Sequence, residues 1–349
     1  MNSRARLLVT VALPVLLIIV IVSVFVMQQR EPATTVSTQG KPTKLTHMSL
    51  ALDWTPNTNH TGIYVALAKG WYRDQGIDLQ LLPYSSNVNP DTLVSTGKAD
   101  VGISSTESVV ADYGVGQPVV SIAAILQHNT SALVARADAG INSPRDFDGK
   151  TYGGFGAPYE SAVVGSIIKH SGGTGKFRNV TLNIDAIEAL KSKQIDFVWI
   201  YQGWEGIQAQ REGLKLKEFY ITDNGIPDYY TPTIITSPNE IKQKPDLLKH
   251  FMAATVRGYE FARTNVRESA QILLDQNKGA FPDPGLVFAS QEYLSPRYAD
   301  PGRRWGLQDA AAWHGYPSFM LNAGAIQDAA GKPIKSINFD QLYSNQFLS

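Results

Sequence analysis

Short apolar segments alternate with amphipathic ones from about residue 48 to about residue 238, and this rhythm limits the possible folds more than any other property of the chain. Segments such as "MSLALDW" and "ADVGISS" have the length and apolar character of strands, whereas "TESVVADYGVG" carries apolar residues at helical spacing. Repeated strand–helix units favour a mostly parallel sheet with helices on both faces. The sequence therefore predicts an α/β fold.

The alternation occurs in two successive series, which predicts two lobes. The first series ends near "PVVSIAAIL", and the second begins after "SALVARADAG" and ends with "LKLKEFYI". The two series share a rhythm but no residue-level repeat. After "YTPTIITSP" the pattern becomes helical. We expect this C-terminal tail to pack on one lobe; an independent helical domain is the alternative, which the absence of a linker disfavours.

The N-terminal segment predicts a membrane anchor. The run from Leu7 to Met27 carries no charge, and as a helix it would span about 31 Å, close to the hydrocarbon thickness of a bilayer. Arg4 and Arg6 precede the run, so the N-terminus is expected to stay in the cytoplasm and the rest of the chain to be exported. A cleaved signal peptide is the alternative, although the run is long and has no obvious small-residue cleavage site. In either case we expect the body to work outside the cytoplasm.

The charge balance and the absence of cysteine exclude several functions. Thirty-one Lys and Arg residues face 31 Asp and Glu residues, whereas a surface that binds nucleic acid would need a basic excess. Without cysteine the chain has no disulfide, no thiolate metal site, no cysteine nucleophile and no lipoprotein anchor. The six histidines show no metal-ligand spacing, and no G-x-S-x-G motif is present. We therefore expect a protein that is not an enzyme and that uses neither a metal nor a cofactor.

Four segments resemble the thiamine-pyrimidine family of periplasmic binding proteins: "DWTPNTNHTGIYVALAKGWYRDQGID", "LVSTGKADVGISS", "SPRDFDGKTYG" and "GIPDYYTPTIITS". The resemblance extends over roughly residues 48–300, and its most specific element is the "DW-x-P-N" opening. The family includes formylaminopyrimidine-binding and riboflavin-binding proteins of ABC importers, and also the fungal enzymes that make the thiamine pyrimidine. Those enzymes carry a cysteine-rich loop, which this chain lacks.

The resemblance implies a two-lobed, type II-like periplasmic binding protein, in which two crossing strands join the lobes and the ligand binds between them. The closed form would act as a monomer that docks on an ABC permease in the membrane. Residues 29–46 are polar and contain proline, which is typical of a flexible linker. The expected organisation is then an anchor or signal at 1–28, a linker at 29–46, lobe 1 at 47–134 and 231–349, and lobe 2 at 135–230.

The ends of the strands indicate where a ligand would bind, because ligands of open α/β sheets lie beyond the carboxyl ends of the strands. Trp54 follows the first strand and could stack on a flat ring, and Asn57 offers a donor and an acceptor to the ring edge. A core tryptophan and a turn or capping asparagine are the alternatives. Tyr64, in the next helix, and Ser105, after "ADVGIS", are assigned to the site as well, with simple N-capping as the alternative for Ser105. His60 is expected to pack or to cap the helix.

The second series contributes aromatic rings and a carboxylate. Tyr159 follows a glycine-rich strand end together with Phe155, and Tyr201, Trp204 and Glu205 cluster after the strand "IDFVWIY". A carboxylate beside aromatic rings suits a ring that bears N–H groups, and in the family an acid near this position looks like the partner of an amino-pyrimidine. A charge at the start of a helix is the alternative for Glu205.

The second crossing carries Tyr230, which we also assign to the site, and Thr231. In the pyrimidine binders an acid often follows the tyrosine pair, so Thr231 is a departure that favours a larger, more apolar ring such as flavin. Riboflavin is therefore the first choice of ligand, with the thiamine pyrimidine precursor (formylaminopyrimidine or hydroxymethylpyrimidine) as the alternative. A sulfonate or another small solute is a further alternative, which the scarcity of Arg and Lys among the candidates disfavours. A signalling domain is the last alternative, which the short segment before the apolar run disfavours.

Overall fold

A computed structural model describes residues 44–85 and 87–348. The anchor expected at 1–28 and most of the linker at 29–46 lie outside the described residues. Within the described ranges, no helix combines the length and apolar character that a membrane crossing requires. The residues from Pro42 to Ser349 form one compact unit.

Five strands form the first sheet: β1 (Thr46–Ala51), β2 (Ile77–Leu82), β3 (Val101–Ser104), β4 (Val120–Ala124) and β10 (Thr233–Thr236). Their spatial order is β2-β1-β3-β10-β4. β1 runs parallel to β2 and β3, whereas β10 runs antiparallel to β3 and β4. The first sheet is therefore mixed, with the late strand β10 inserted between two early ones.

Five strands form the second sheet: β5 (Ser131–Arg136), β6 (Thr151–Gly154), β7 (Arg178–Thr181), β8 (Phe197–Tyr201) and β9 (Leu216–Tyr220). Their spatial order is β7-β6-β8-β5-β9. β6 runs parallel to β7 and β8, whereas β5 runs antiparallel to β8 and β9. The two-sheet α/β architecture predicted from the two series is confirmed, with one antiparallel strand inserted in each sheet.

The chain changes sheets twice, between β4 and β5 and again between β9 and β10. β5 belongs to the second sheet along its whole length, so the first change falls a few residues before the boundary expected at residue 134. The return falls just before Thr233, close to the expected boundary at residue 231.

The connecting helices follow the strands in the expected alternation. They are α1 (Thr61–Ala68), α2 (Trp71–Asp74), α3 (Pro90–Ser95), α4 (Thr106–Gly114), α5 (Glu160–His170), α6 (Ala186–Lys191) and α7 (Ile207–Arg211). The segment "TGIYVALAKGWYRDQG", which reads as one helix, is broken at Gly70, whose φ of 73° is left-handed. Only glycine adopts that conformation freely, so the chain turns there and α2 starts in a new direction.

The C-terminal tail is helical, with α8 (Pro238–Gln243), α9 (Pro245–Thr264), α10 (Val266–Gln276), α11 (Pro284–Leu294) and α12 (Ala310–Asn322). α9 packs closely on α1. The contact leaves no room for a side chain at Gly258, since a Cβ there would lie only 2.0 Å from the carbonyl oxygen of Gly62. Trp305 stacks on Tyr259 of α9 with ring centroids 4.0 Å apart, and its Nε1–H donates to the Ile125 carbonyl at 3.0 Å. These contacts join the tail to the core of the first sheet.

Candidate ligand-binding site between the two sheets

A cleft of about 660 Å³ lies between the two sheets, which is the size of a small-molecule site. Its walls come from residues that follow the carboxyl ends of strands in both sheets, where ligands of α/β folds bind. Seven of the nine residues predicted from the sequence line it: Trp54, Asn57, Ser105, Tyr159, Tyr201, Trp204 and Glu205. The other two, Tyr64 and Tyr230, do not.

Three aromatic rings meet at the cleft. Trp54 lies 4.7 Å from Tyr84, centroid to centroid, and both belong to the first lobe. Phe155 belongs to the second lobe and meets Trp54 edge to face at 6.5 Å. Trp54 and Phe155 keep 41% and 49% of their surfaces exposed, so neither is a core residue. The rings are therefore available to a flat ligand, and Tyr84 is one that the sequence pattern missed because no motif marks the end of β2.

The turn that carries Trp54 is held by its own polar side chains. His60 is fully buried, its Nδ1 accepts the Asn57 backbone N–H at 3.3 Å, and its Nε2–H donates to Asp53 at 2.8 Å. Asn57 Oδ1 accepts the backbone N–H of Asn59 at 2.9 Å. The packing expected of His60 is confirmed, whereas its side chain makes no capping hydrogen bond to α1. Asn57 caps the short 3-10 turn Thr58–His60 and also lines the cleft.

The loop that carries Phe155 is held by one buried carboxylate. Glu160, at the start of α5, is 3% exposed and accepts the Tyr152 hydroxyl at 2.9 Å. The same carboxylate accepts the backbone N–H groups of Phe155 at 3.0 Å and Ala157 at 2.6 Å. Glu160 does not line the cleft, but it sets the path of the loop that does. The sequence offered no signal for this role, since a first-turn Glu is common at helix N-termini.

Glu205 lies in a π-helical turn, Gln202–Gly206, between β8 and α7. Its Oε2 accepts the Tyr201 backbone N–H at 3.1 Å, so the chain orients the carboxyl group. Burial raises the pKa of Glu205 to about 7, because the cleft wall removes water that would stabilise the charge. Both protonation states are therefore accessible near neutral pH, and the group is able to donate as well as accept a hydrogen bond.

Two tyrosine hydroxyls of the second lobe reach partners elsewhere in the chain. The side chain of Tyr159 lies near Ser108 of α4, and that of Tyr201 lies near Thr231 in the second crossing. Burial raises the pKa of both tyrosines well above the ordinary value, so both hydroxyls keep their protons. Ser105 caps α4 by accepting the Ser108 N–H at 3.2 Å, as the capping alternative predicted.

The lobes also touch beside the cleft, through α11. The Ser290 hydroxyl is hydrogen-bonded to the Gly203 carbonyl of the π-helical turn and to the Thr58 hydroxyl. Arg211 of α7 forms two hydrogen bonds with Asp283, at 2.6 and 2.9 Å. The two lobes are thus in direct contact around the cleft.

A pair of carboxyl groups that the sequence did not reveal lines the first-lobe wall. Asp91 of α3 is 3% exposed and accepts the Ser104 hydroxyl, and it lies against Asp112 of α4. Burial raises the pKa of both groups, and repulsion from Asp91 adds to the effect on Asp112. No motif signals such a pair, because its members come from different helices and only the packing of α3 on α4 brings them together.

Tyr64 and Tyr230, which the sequence analysis also assigned to the site, lie outside the lining of the cleft. Tyr64 packs in a small apolar cluster with Leu273 and Val287, behind Trp204. The Tyr230 hydroxyl accepts the backbone N–H of Asp309 at 2.8 Å, which holds the ring in the core of the first lobe. The helix that carries Tyr64 and the crossing that carries Tyr230 each have two sides. The sequence did not show on which side either tyrosine lies.

The cleft is acidic. Its lining includes four carboxyl groups, those of Asp53, Asp91, Asp112 and Glu205, and among the described lining residues none is Lys, Arg or His. The described part of the chain also brings together no group of three or more His, Asp or Glu residues that could hold a metal ion. The site is therefore built to attract hydrogen-bond donors and to repel anions.

Two mixed α/β sheets joined by two chain crossings, with a cleft of ligand size between them, define the fold of the periplasmic binding proteins. The periplasmic aliphatic sulphonate binding protein of Escherichia coli has the same fold, with a TM-score of 0.62 and 12% identity over 84% of this chain and 91% of that one. The chain belongs to the NMT1/THI5-like family, whose sequence model matches residues 57–269.

Its relatives include both binding proteins and synthases. The chain is 26% identical to the formylaminopyrimidine-binding protein of Halalkalibacterium halodurans, over 78% of this chain and 84% of that protein. It is 25% identical to the 4-amino-5-hydroxymethyl-2-methylpyrimidine phosphate synthase of Legionella pneumophila, over 65% of this chain and 72% of that protein. The family resemblance inferred from the sequence segments is thus confirmed.

Proposed function

We propose that the protein is the extracytoplasmic binding protein of an ABC importer and that it captures a thiamine-type aminopyrimidine such as formylaminopyrimidine. The observation that carries this proposal is the position of Glu205, a half-buried carboxyl group beside Tyr201, in a cleft whose other lobe presents Trp54. The similarity to a formylaminopyrimidine-binding protein supports the same ligand class.

The polar edge of a 4-aminopyrimidine complements a carboxyl group. That edge carries an amino donor next to a ring-nitrogen acceptor, so a protonated carboxyl group donates to the nitrogen and accepts from the amino group at the same time. Burial raises the pKa of Glu205 to about 7, which makes the protonated form accessible in neutral solution. Stacking of the ring on Trp54 would add about 1 kcal/mol beyond the burial of its surface.

Riboflavin, the first choice from the sequence, has weaker support than the pyrimidine alternative. The polar edge of its ring system places one N–H between two carbonyl oxygens, so a carboxylate that accepts from the N–H would face a carbonyl of like partial charge. The flavin interpretation depended on Thr231, where pyrimidine binders often have an acid. Thr231 lines the cleft near Tyr201, which is compatible with a role in orienting that tyrosine for a smaller ring.

A sulfonate or a similar anion is disfavoured by the charges of the cleft. Such a ligand would need a basic side chain or several free backbone N–H groups, and the described lining supplies carboxylates instead. The likeness to the sulphonate binding protein concerns the fold, and the ligand depends on the side chains.

Binding without chemical conversion is the activity we propose. Capture would proceed by closure of the two lobes, with bending at the crossings, and the closed monomer would dock on the permease. An N-terminal anchor would keep the protein near that permease and raise its effective concentration there. Synthase activity would need other chemistry, since the chain has no cysteine.

Calorimetry on the full-length protein tests the proposal. Formylaminopyrimidine should bind with a dissociation constant of about 1 μM or lower, equivalent to roughly −8 kcal/mol, and quench the tryptophan fluorescence, whereas riboflavin and taurine should not. Tight riboflavin binding with no response to the pyrimidine would overturn it. Incubation of the bound pyrimidine followed by mass spectrometry should return it unchanged.

A further inference from the structure

The first-lobe wall of the cleft carries a pair of carboxyl groups that have no role in the proposed contact between Glu205 and the pyrimidine ring. Asp91 and Asp112 lie against each other there, and the nearest hydroxyl, Ser104, already donates to Asp91. Asp53 on the same lobe adds further negative charge. No cation of the described lining residues balances these groups.

Several oxygen atoms of the same cleft have no hydrogen-bond donor. Asn59 Oδ1 and Thr130 Oγ1 are buried and lack a partner among the described residues, and Thr130 is 5% exposed. Apart from Asp91, no described residue supplies a partner to Asp112 Oδ2. Amide and carboxylate oxygens only accept, and a buried acceptor without a donor is costly. A ligand that carries N–H groups would supply donors to these oxygens.

We propose that Asp91 and Asp112 form a subsite for a protonated primary amine on the ligand, so that the cleft selects an aminopyrimidine with an ammonium arm. The inference rests on the proposed function and deepens it. Glu205 on the second lobe would hydrogen-bond the polar edge of the pyrimidine ring, and the carboxyl pair on the first lobe would bind the 5-substituent, called the arm. One ligand would thus span both lobes.

The affinity of the carboxyl pair for a ligand depends on the donors and the charge that the 5-substituent of the pyrimidine carries. An ammonium group brings three N–H donors and a positive charge to a pair of carboxyl groups, which are charge-assisted hydrogen bonds. A hydroxymethyl arm brings one neutral donor. A formylated arm brings one N–H donor and a carbonyl oxygen but no positive charge, so it lacks the ionic attraction that an ammonium group has for the carboxyl pair.

The test compares three ligands on the full-length protein by calorimetry. They share the 4-amino-2-methylpyrimidine ring and differ in the 5-substituent, which is aminomethyl, hydroxymethyl or formylaminomethyl. The aminomethyl compound should bind about tenfold or more tighter than the hydroxymethyl compound, as expected for gaining charge-assisted bonds. Asp112→Asn should bring this ratio close to 1, because the aminomethyl compound loses more affinity than the hydroxymethyl compound does.

Asp78→Asn is the matched control, because Asp78 is 61% exposed on β2 and lies outside the cleft lining. It should leave the ratio unchanged. Asp91→Asn should act like Asp112→Asn, and its melting temperature shows whether it is folded. Wild-type preference for the formylaminomethyl compound, or an equal loss for all three ligands in Asp112→Asn, overturns the subsite while the proposed function stands. Failure of all three pyrimidines to bind overturns the proposed function together with it.

Discussion

Trp54 and Phe155 meet edge to face at 6.5 Å across the cleft, and they come from different lobes. Both rings remain about half exposed, so this contact closes the gap between the lobes without filling it. Both rings line the cleft. We therefore expect that a ligand bound in the cleft would contact Trp54 and Phe155 and so bridge the two lobes.

Trp54→Ala should weaken pyrimidine binding by about tenfold or more, because the variant loses a partly exposed aromatic surface that the ligand would cover. Calorimetry measures the change. Since Trp54 is 41% exposed, the melting temperature should change little. Val115→Ala, a truncation of another exposed apolar residue outside the cleft, should leave the affinity unchanged. Full affinity in a folded Trp54→Ala variant would show that the ring does not contact the ligand.

Glu205→Gln should bind the aminopyrimidine more tightly than Glu205→Ala does, because the amide keeps one acceptor and one donor for the ring edge. Both variants should bind more weakly than wild type. The discriminating ligand is the same ring without the 4-amino group, for which the two variants should differ by less than about threefold. Equal affinities of the two variants for the aminopyrimidine would argue against an edge contact at Glu205.

Glu160→Gln should lower the free energy of unfolding by about 1.5–3 kcal/mol, because a buried carboxylate that accepts three donors becomes an amide. Affinity for the pyrimidine should fall as well, since the Phe155 loop loses its support, but the preference among the ligand arms should persist. Urea unfolding and calorimetry give the two quantities. Glu188→Gln, at a side chain that is 60% exposed, should change neither. Loss of arm selectivity in Glu160→Gln would mean that Glu160 acts on more than the loop.

Asp112→Asn should stabilise the ligand-free protein at high pH. The pKa of Asp112 is raised in the folded state by burial and by Asp91, so the folded protein prefers the proton. This stability is full below the unfolded pKa of about 4 and is lost as pH rises toward the raised folded value. Melting temperatures at about pH 5 and pH 8 should therefore differ more for wild type than for Asp112→Asn. If the pH dependence of the melting temperature were the same in wild type and Asp112→Asn, the raised pKa of Asp112 would be contradicted.

His128→Asn should flatten the stability profile around neutral pH. His128 lies in the first crossing, and its Nδ1 contacts Asp228 of the second crossing at 2.5 Å while its Nε2 contacts Asp300 at 3.1 Å. Burial lowers the pKa of His128, but the two carboxylates outweigh that effect and leave the pKa raised. The stabilisation is therefore present below about pH 6.5 and is lost as pH rises through the folded pKa. His250→Asn, an exposed histidine on α9, is the control and should keep the wild-type profile.

The elements of the fold were predictable because their signals are local. Apolar spacing indicated the strands and helices of both series, and the "DW-x-P-N" opening indicated the loop that carries Trp54. Glu205 and its aromatic neighbours were predictable for the same reason, since they follow a buried strand directly. The break at Gly70 was missed, because a glycine inside an amphipathic pattern is compatible with a continuous helix.

The chain alone thus determined the alternation of strands and helices, its division into two series and several of the loops that line the cleft, because periodicity and strand ends are properties of consecutive residues. Only the tertiary structure decided which residues share the cleft. Asp91 and Asp112 meet because α3 packs on α4, and Tyr64 is lost to the site because its helix turns that side toward the C-terminal tail. Such contacts depend on the burial of whole elements against one another, which no short stretch of sequence specifies.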